Sequence, residues 1–187
     1  MNLKYWLNNP SFIFPRISYK IYDYLHQDEP WISPNAVRFL EENISNEQIG
    51  FEWGSGRSTI WLAVRLKRLI SVEHDKIWFE RISRKIKEKK LNNIEYRYVP
   101  YEQKQKYVSI IDDTKDNSLD IVFVDGCYSK ACILAAMPKI KKGGLLLVDD
   151  TYWFPMREYD VPKDWVIVCH SNNVSKDTTI VRKPRIF

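Results

Sequence analysis

Glycine is scarce in this chain, six in 187 residues, and two of the six stand one residue apart at Gly54 and Gly56. With so few, and no repeat or low-complexity stretch, a linker-rich or fibrous chain is excluded. Cysteine is scarcer: Cys127, Cys132 and Cys169 are odd in number and form no CxxC pair. Neither a disulfide framework nor a zinc knuckle follows, and reduced, packed thiols are expected. No apolar run approaches the roughly 20 residues that span a bilayer, and no early basic-then-apolar stretch reads as a signal peptide. A cytoplasmic protein without a transmembrane segment is expected. The sequons at Asn43 and Asn173 are then chance matches.

What is present is a hydrophobic content of 44% with strong periodicity, enough for one domain with a sizeable core. The net charge of +5 admits an anionic partner. The cations are scattered, however, and the densest group, Lys85, Lys87, Lys89 and Lys90, reads as the solvated face of a helix. Residues 1–32 form an aromatic-rich extension, read as irregular because Pro10, Pro15 and Pro30 act as breakers. Its apolar side chains, Phe12, Phe14, Ile17 and Ile21 among them, suit a lid or a homodimer contact. Residues 33–187 form the main domain. Ser33-Pro34 opens a helix with Val37, Leu40 and Ile44 on one face. From Gly50 onward strands and helices alternate, which indicates a parallel sheet covered on both faces. Strands are expected at about 49–53, 69–75, 94–99, 118–126 and 145–150. A helix with Trp78, Ile82 and Ile86 inward starts at Asp75, and a hairpin over Trp165–Cys169 and Thr178–Val181 closes the sheet.

The strand Ile49–Trp53 runs into Gly54-Ser55-Gly56-Arg57-Ser58-Thr59, where bare backbone can approach a ligand closely. The next strand ends in Glu73, followed by His74 and Asp75. A glycine turn followed by an acid at the neighbouring strand tip is the layout that holds a nucleoside by its ribose. Asp125, Asp149 and Asp150 end later strands, on the side of such sheets where ligands bind. A nicotinamide reading fits poorly, because Thr59 stands where the third fingerprint glycine belongs and Glu52 would repel pyrophosphate.

Glu52-x-Gly54-x-Gly56, Glu73 at the next strand tip, Asp125 after the fourth strand and Gly143-Gly144 before the fifth resemble class I S-adenosylmethionine-dependent methyltransferases. The resemblance spans residues 35–183, and its local details look like a small-molecule or sugar-modifying O-methyltransferase branch. It implies a Rossmann-like, doubly wound, seven-stranded and mostly parallel sheet, with one antiparallel strand near the C-terminus and helices on both faces. It also implies roles. Gly54, Ser55 and Gly56 would lie against the methionine part of the cofactor, and Glu52 would help anchor its amino group. Ser58 and Thr59 would bond its carboxylate. Glu73 would take both ribose hydroxyls, His74 would line the adenosine side, and Asp125 would lie near the transferred methyl. Where the family often has an adenine-binding acid, this chain has Tyr101-Glu102.

Methyl transfer from a sulfonium asks for in-line positioning, and a hydroxyl nucleophile must also lose its proton. Asp149, Asp150 and His170 are the candidate catalytic groups. Asp125, Asp149 and Asp150 resemble the metal ligands of cation-dependent O-methyltransferases, a donor set suited to magnesium or calcium. The alternative is that one aspartate caps a turn and the other meets cofactor or solvent. Tyr128, Tyr152 and Trp153 would wall the acceptor pocket. The expected activity is O-methylation of a small hydroxylated acceptor such as a sugar or phenol. A non-catalytic ligand-binding domain and an RNA-directed enzyme are the rivals, and nucleic acid is the less expected partner because the amino-methylating tetrapeptide is absent.

Overall fold

The computed structural model describes residues 10–151, 160–173 and 176–185. Five strands alternate with helices before the chain closes in a hairpin. Helix α1 spans Pro10–Leu25 and α2 spans Pro34–Asn43; β1 is Ile49–Trp53, α3 Arg57–Arg65, β2 Arg68–Glu73 and α4 Lys76–Glu88. Then come β3 (Ile94–Tyr98), α5 (Lys104–Ser109), β4 (Leu119–Val124), α6 (Ser129–Ala136), β5 (Ile140–Asp149), β6 (Val166–Asn173) and β7 (Lys176–Arg182). The single sheet has seven strands in the order β3-β2-β1-β4-β5-β7-β6. Strands β1 to β5 pair in parallel, β7 runs antiparallel to β5, and β6 antiparallel to β7. The strand order reverses between β1 and β4, the place where ligands meet sheets of this kind.

Strict alternation along the strands sorts the core into two layers. Phe51, Trp53, Ile70, Val72, Val122 and Leu146 face Tyr107, Cys132 and Ile133 on one side. On the other side, Leu69, Ile121, Phe123 and Leu147 face Val37 and Leu40 of α2 and Trp61 and Leu62 of α3. Glu52 belongs by alternation to this second layer.

Two helix starts follow the expected chemistry. Ser33 Oγ accepts from Ala36 N, with Pro34 at the first helical position. Asp75 Oδ1 accepts from Trp78 N at 2.7 Å at the head of α4. The extension departs from the expectation of irregular chain, because α1 is a helix of 16 residues with Pro15 inside it. Pro10 sits at its first position, where a missing N–H costs nothing, so only Pro15 breaks a bond. The hairpin is longer than expected: the two strands continue past Cys169 and Thr178 through the pairs Ser171–Thr178, Asn172–Asp177 and Asn173–Lys176. The three cysteines are free thiols. Among the described residues no helix is long and apolar enough to cross a membrane.

Candidate active site

The glycine turn is held from below by two carboxylates. Glu52 stands beside Ser71 in the β1–β2 register and under the start of α3. It accepts from Ser71 Oγ at 2.6 Å, Thr59 Oγ1 at 2.6 Å and Ser58 Oγ at 2.5 Å, with no exposed surface. Burial pushes its pKa up to about 7, even though the three hydroxyls favour the charged form. The native state thus binds a proton that the unfolded chain has released above the ordinary glutamate range. Its contribution to stability is full at low pH and is lost as pH rises through about 7. Relative to Glu52→Gln, the wild-type chain should lose on the order of 3 kcal/mol of stability between pH 5 and pH 8. Thermal unfolding of both chains across that range measures it; parallel pH profiles would refute it.

The second carboxylate, Glu73, is 2% exposed. Its Oε2 accepts from Ser55 N at 2.8 Å and Ser55 Oγ at 2.7 Å; its Oε1 accepts from His74 N at 2.7 Å and Asp75 N at 2.8 Å. An ionised carboxylate offers about four acceptor sites, and all are in use. The acid at the β2 tip is therefore bonded to the glycine turn itself.

Gly54 and Gly56 do different work. Gly54 has φ +85°, and a Cβ there would lie 2.5 Å from Asp125 O, so only glycine lets the β1 tip rest on the β4 tip. Gly56 has φ 179°, extended backbone open to any residue, and a Cβ there would meet nothing nearer than Ser58 Oγ at 3.9 Å. Nothing within the protein requires a glycine at 56. The turn presents bare backbone to open space.

That space is a cleft of about 660 Å³. Its floor is Ser55, Gly56, Arg57, Ser58 and Asp125; residues of α1 and α4 form its walls, and Trp31 also lines it. Arg57 pairs with Asp23 and ties α1 to the glycine turn. The carboxyl of Asp125 is exposed to the cleft but enclosed by protein on its other sides. This partial desolvation pushes its pKa well above the usual carboxylate range, and the charge of Asp149 acts in the same direction against Lys176.

Several expected site residues are engaged within the protein or lie away from the cleft. The hydroxyls of Ser58 and Thr59 donate to Glu52, so neither is free to bond a ligand carboxylate. Asp149 is locked: its Oδ2 lies 2.8 Å from Lys176 Nζ, and its Oδ1 accepts from Thr178 Oγ1 at 2.6 Å. Asp150, at φ 55°, is half exposed and 3.8 Å from the same ammonium. The expected three-aspartate metal centre is not assembled, since Lys176 already supplies the cation beside two of its members. Among the described residues no group of three or more acidic, histidine or cysteine side chains is arranged to hold a metal. His170 lies on β6 with Nδ1 2.9 Å from Thr179 Oγ1 and does not line the cleft.

His74 packs between Tyr101 and Tyr107, ring centroids 6.0 and 5.8 Å away. Its Nδ1 lies 3.1 Å from Glu73 Oε1, and Tyr107 is fully buried. Tyr101 stacks on Tyr128, so that pair forms an aromatic ledge at the tips of β3 and β4. Tyr152 and Trp153 lie outside the described residues. Trp78 was expected in the core; it is 37% exposed and lines the cleft with Arg81 and Lys85, while Ile82 takes the core position. The spacing 78, 81, 85 on one helix was the available signal, and its mixture of aromatic and basic side chains hid it.

The comparisons agree with this geometry. Residues 51–151 match a family model described as a methyltransferase domain, the stretch from the glycine turn to the tip of β5. Among curated proteins, none matches this chain. Similar solved structures include the methyltransferase candidate yhhF of Escherichia coli, at 14% identity and TM-score 0.66, covering 83% of this chain and 88% of that one. An rRNA methylase from Streptococcus thermophilus has 14% identity and TM-score 0.63, covering 83% of this chain and 100% of that one. SMU.1697c, a methyltransferase candidate of Streptococcus mutans in complex with S-adenosylhomocysteine, has 13% identity and TM-score 0.58, covering 78% and 94%. At these identities the likeness is one of fold. With the family model covering more than half its length, the chain belongs to the methyltransferase domain family, on the Rossmann-like sheet of the S-adenosylmethionine-dependent enzymes.

Proposed function

We propose that the chain transfers a methyl group from S-adenosylmethionine to an oxygen of a small hydroxylated acceptor. The observation that supports this most is Gly56, an unstrained glycine with open space above it on the floor of a cleft at the sheet's switch point. The residues fit the cofactor: Gly56 leaves room for it against the turn's backbone, and the α3 N-terminus offers N–H groups for its carboxylate. Bound there, the cofactor supplies an electrophilic methyl on a sulfonium. The protein's part is to hold the acceptor in line, exclude water and take a proton. Asp125, with its raised pKa and open carboxyl, is the group placed to accept the acceptor's hydroxyl proton. Helix α1 of the N-terminal extension acts as one cleft wall, fixed by the Asp23–Arg57 pair.

A Gly56→Val variant isolates the claim. It should stay folded and lose no more than about 1–2 kcal/mol, the cost of valine in place of glycine at the α3 N-cap. Its affinity for S-adenosylhomocysteine should fall at least roughly tenfold, because the branched side chain fills the space the ligand needs, a cost of about 1.4 kcal/mol or more. Isothermal titration of both chains decides. Undiminished binding by the variant would remove the cofactor from this cleft.

A further inference from the structure

The walls of the cleft carry more charge than cofactor binding asks of them. Helix α1 contributes Lys20 and Asp23; α4 contributes Trp78, Arg81 and Lys85, which share a face at spacings of three and four residues. Asp23 is neutralised by Arg57. Among the described residues no carboxylate pairs with Lys20, Arg81 or Lys85. Unpaired cations from two helices face one another across a concave site. Such an arrangement costs mutual repulsion and gathers anions. The guanidinium of Arg81 lies 4.8 Å from the Trp78 ring centroid, which holds its planar fork ready for two-point contact with a phosphate or carboxylate. Trp31 and Trp78 add flat apolar surface between the charges.

We propose that the methyl acceptor is a small anionic molecule, a hydroxylated compound carrying a phosphate, sulfate or carboxylate group that Lys20, Arg81 and Lys85 grip while its hydroxyl faces Asp125. This rests on the reading of the cleft as the methyl-transfer site. The reaction balances simply: the acceptor oxygen forms a bond to the methyl carbon, the carbon–sulfur bond breaks with its electrons left on sulfur, and the hydroxyl proton passes to Asp125. A cleft of about 660 Å³ is within the range that encloses small molecules and favours such an acceptor over a polymer.

The test titrates inorganic pyrophosphate into the full-length protein saturated with S-adenosylhomocysteine, beside an Arg81→Ala/Lys85→Ala double variant. Pyrophosphate should bind the wild-type protein and bind the variant at least tenfold more weakly, while S-adenosylhomocysteine affinity changes less than threefold. In parallel, methyl transfer to glucuronate and to glucose-6-phosphate should exceed transfer to glucose by at least tenfold in kcat/KM. Equal pyrophosphate binding by the two chains, or no preference for the charged sugars, overturns the proposal while leaving the cleft's cofactor intact. Failure of S-adenosylhomocysteine itself to bind overturns the underlying reading instead. An RNA oligonucleotide that binds with a log–log salt slope steeper than about −4 would report more phosphate contacts than three cations can make and would also overturn it.

Discussion

An Asp125→Asn variant is expected to bind S-adenosylhomocysteine within threefold of the wild-type protein and to transfer methyl groups about 10²–10⁴-fold more slowly. The substitution preserves shape and leaves the backbone untouched: Asp125 N still donates to Trp53 O at 2.9 Å, and Asp125 O still bears on Gly54. Only the capacity to take a proton is lost. The loss should fall on kcat more than on KM, since the proton moves in the transition state. The wild-type rate should rise with pH through a limb above the usual carboxylate range, because enclosure holds the Asp125 proton on. That limb should vanish in the variant. Wild-type turnover by Asp125→Asn, measured with radiolabelled methyl donor, would strike Asp125 from the mechanism.

The second large effect is on stability. Lys176→Met should lower the unfolding free energy by about 3–5 kcal/mol, because it strands a buried carboxylate without its counter-ion. For a chain of this length that is a fall in Tm on the order of 10 °C. The side chain of Asp149 has no exposed surface, and with the ammonium gone the Thr178 hydroxyl is its one remaining side-chain donor among the described residues. Burial already raises the Asp149 pKa, and loss of Lys176 removes the main opposing charge. The deficit should therefore deepen as pH rises from 5 to 8, when holding the lone carboxylate ionised costs most. Adding Asp149→Asn to Lys176→Met should recover most of the loss, as removal of both members of a buried pair often does. Unaltered melting of the single variant would show that the pair carries no net stability.

Much of this fold was written in local chemistry. Alternation placed Phe51 and Trp53 in one layer and Glu52 in the other. Side-chain caps marked the helix starts at Ser33 and Asp75. The glycine turn, the acid at the β2 tip and Asp125 were legible for the same reason: each belongs to a short stretch whose residues meet their neighbours. What escaped was set by distant pairing. Asp149 sits opposite Thr178 in the antiparallel β5–β7 register, and Lys176, two residues earlier on β7, falls on the same face. Three aspartates at strand ends look like a cation site until a strand that follows them returns with a cation of its own. Helix α1 escaped for a different reason, since a proline count carries no information on where in a helical turn each proline will fall.

The four donors already gathered on Glu73 change what a ligand can gain at the β2 tip. A newcomer's hydroxyl has no vacant acceptor there and must evict an occupant. Ser55 Oγ is the natural one to leave, because Tyr96 Oη waits 2.7 Å away to receive it. Each such swap trades one bond for another of similar strength, so its yield in affinity is a small remainder rather than a whole hydrogen bond. In return the turn is rigid before anything arrives, and little ordering entropy is left to lose on docking.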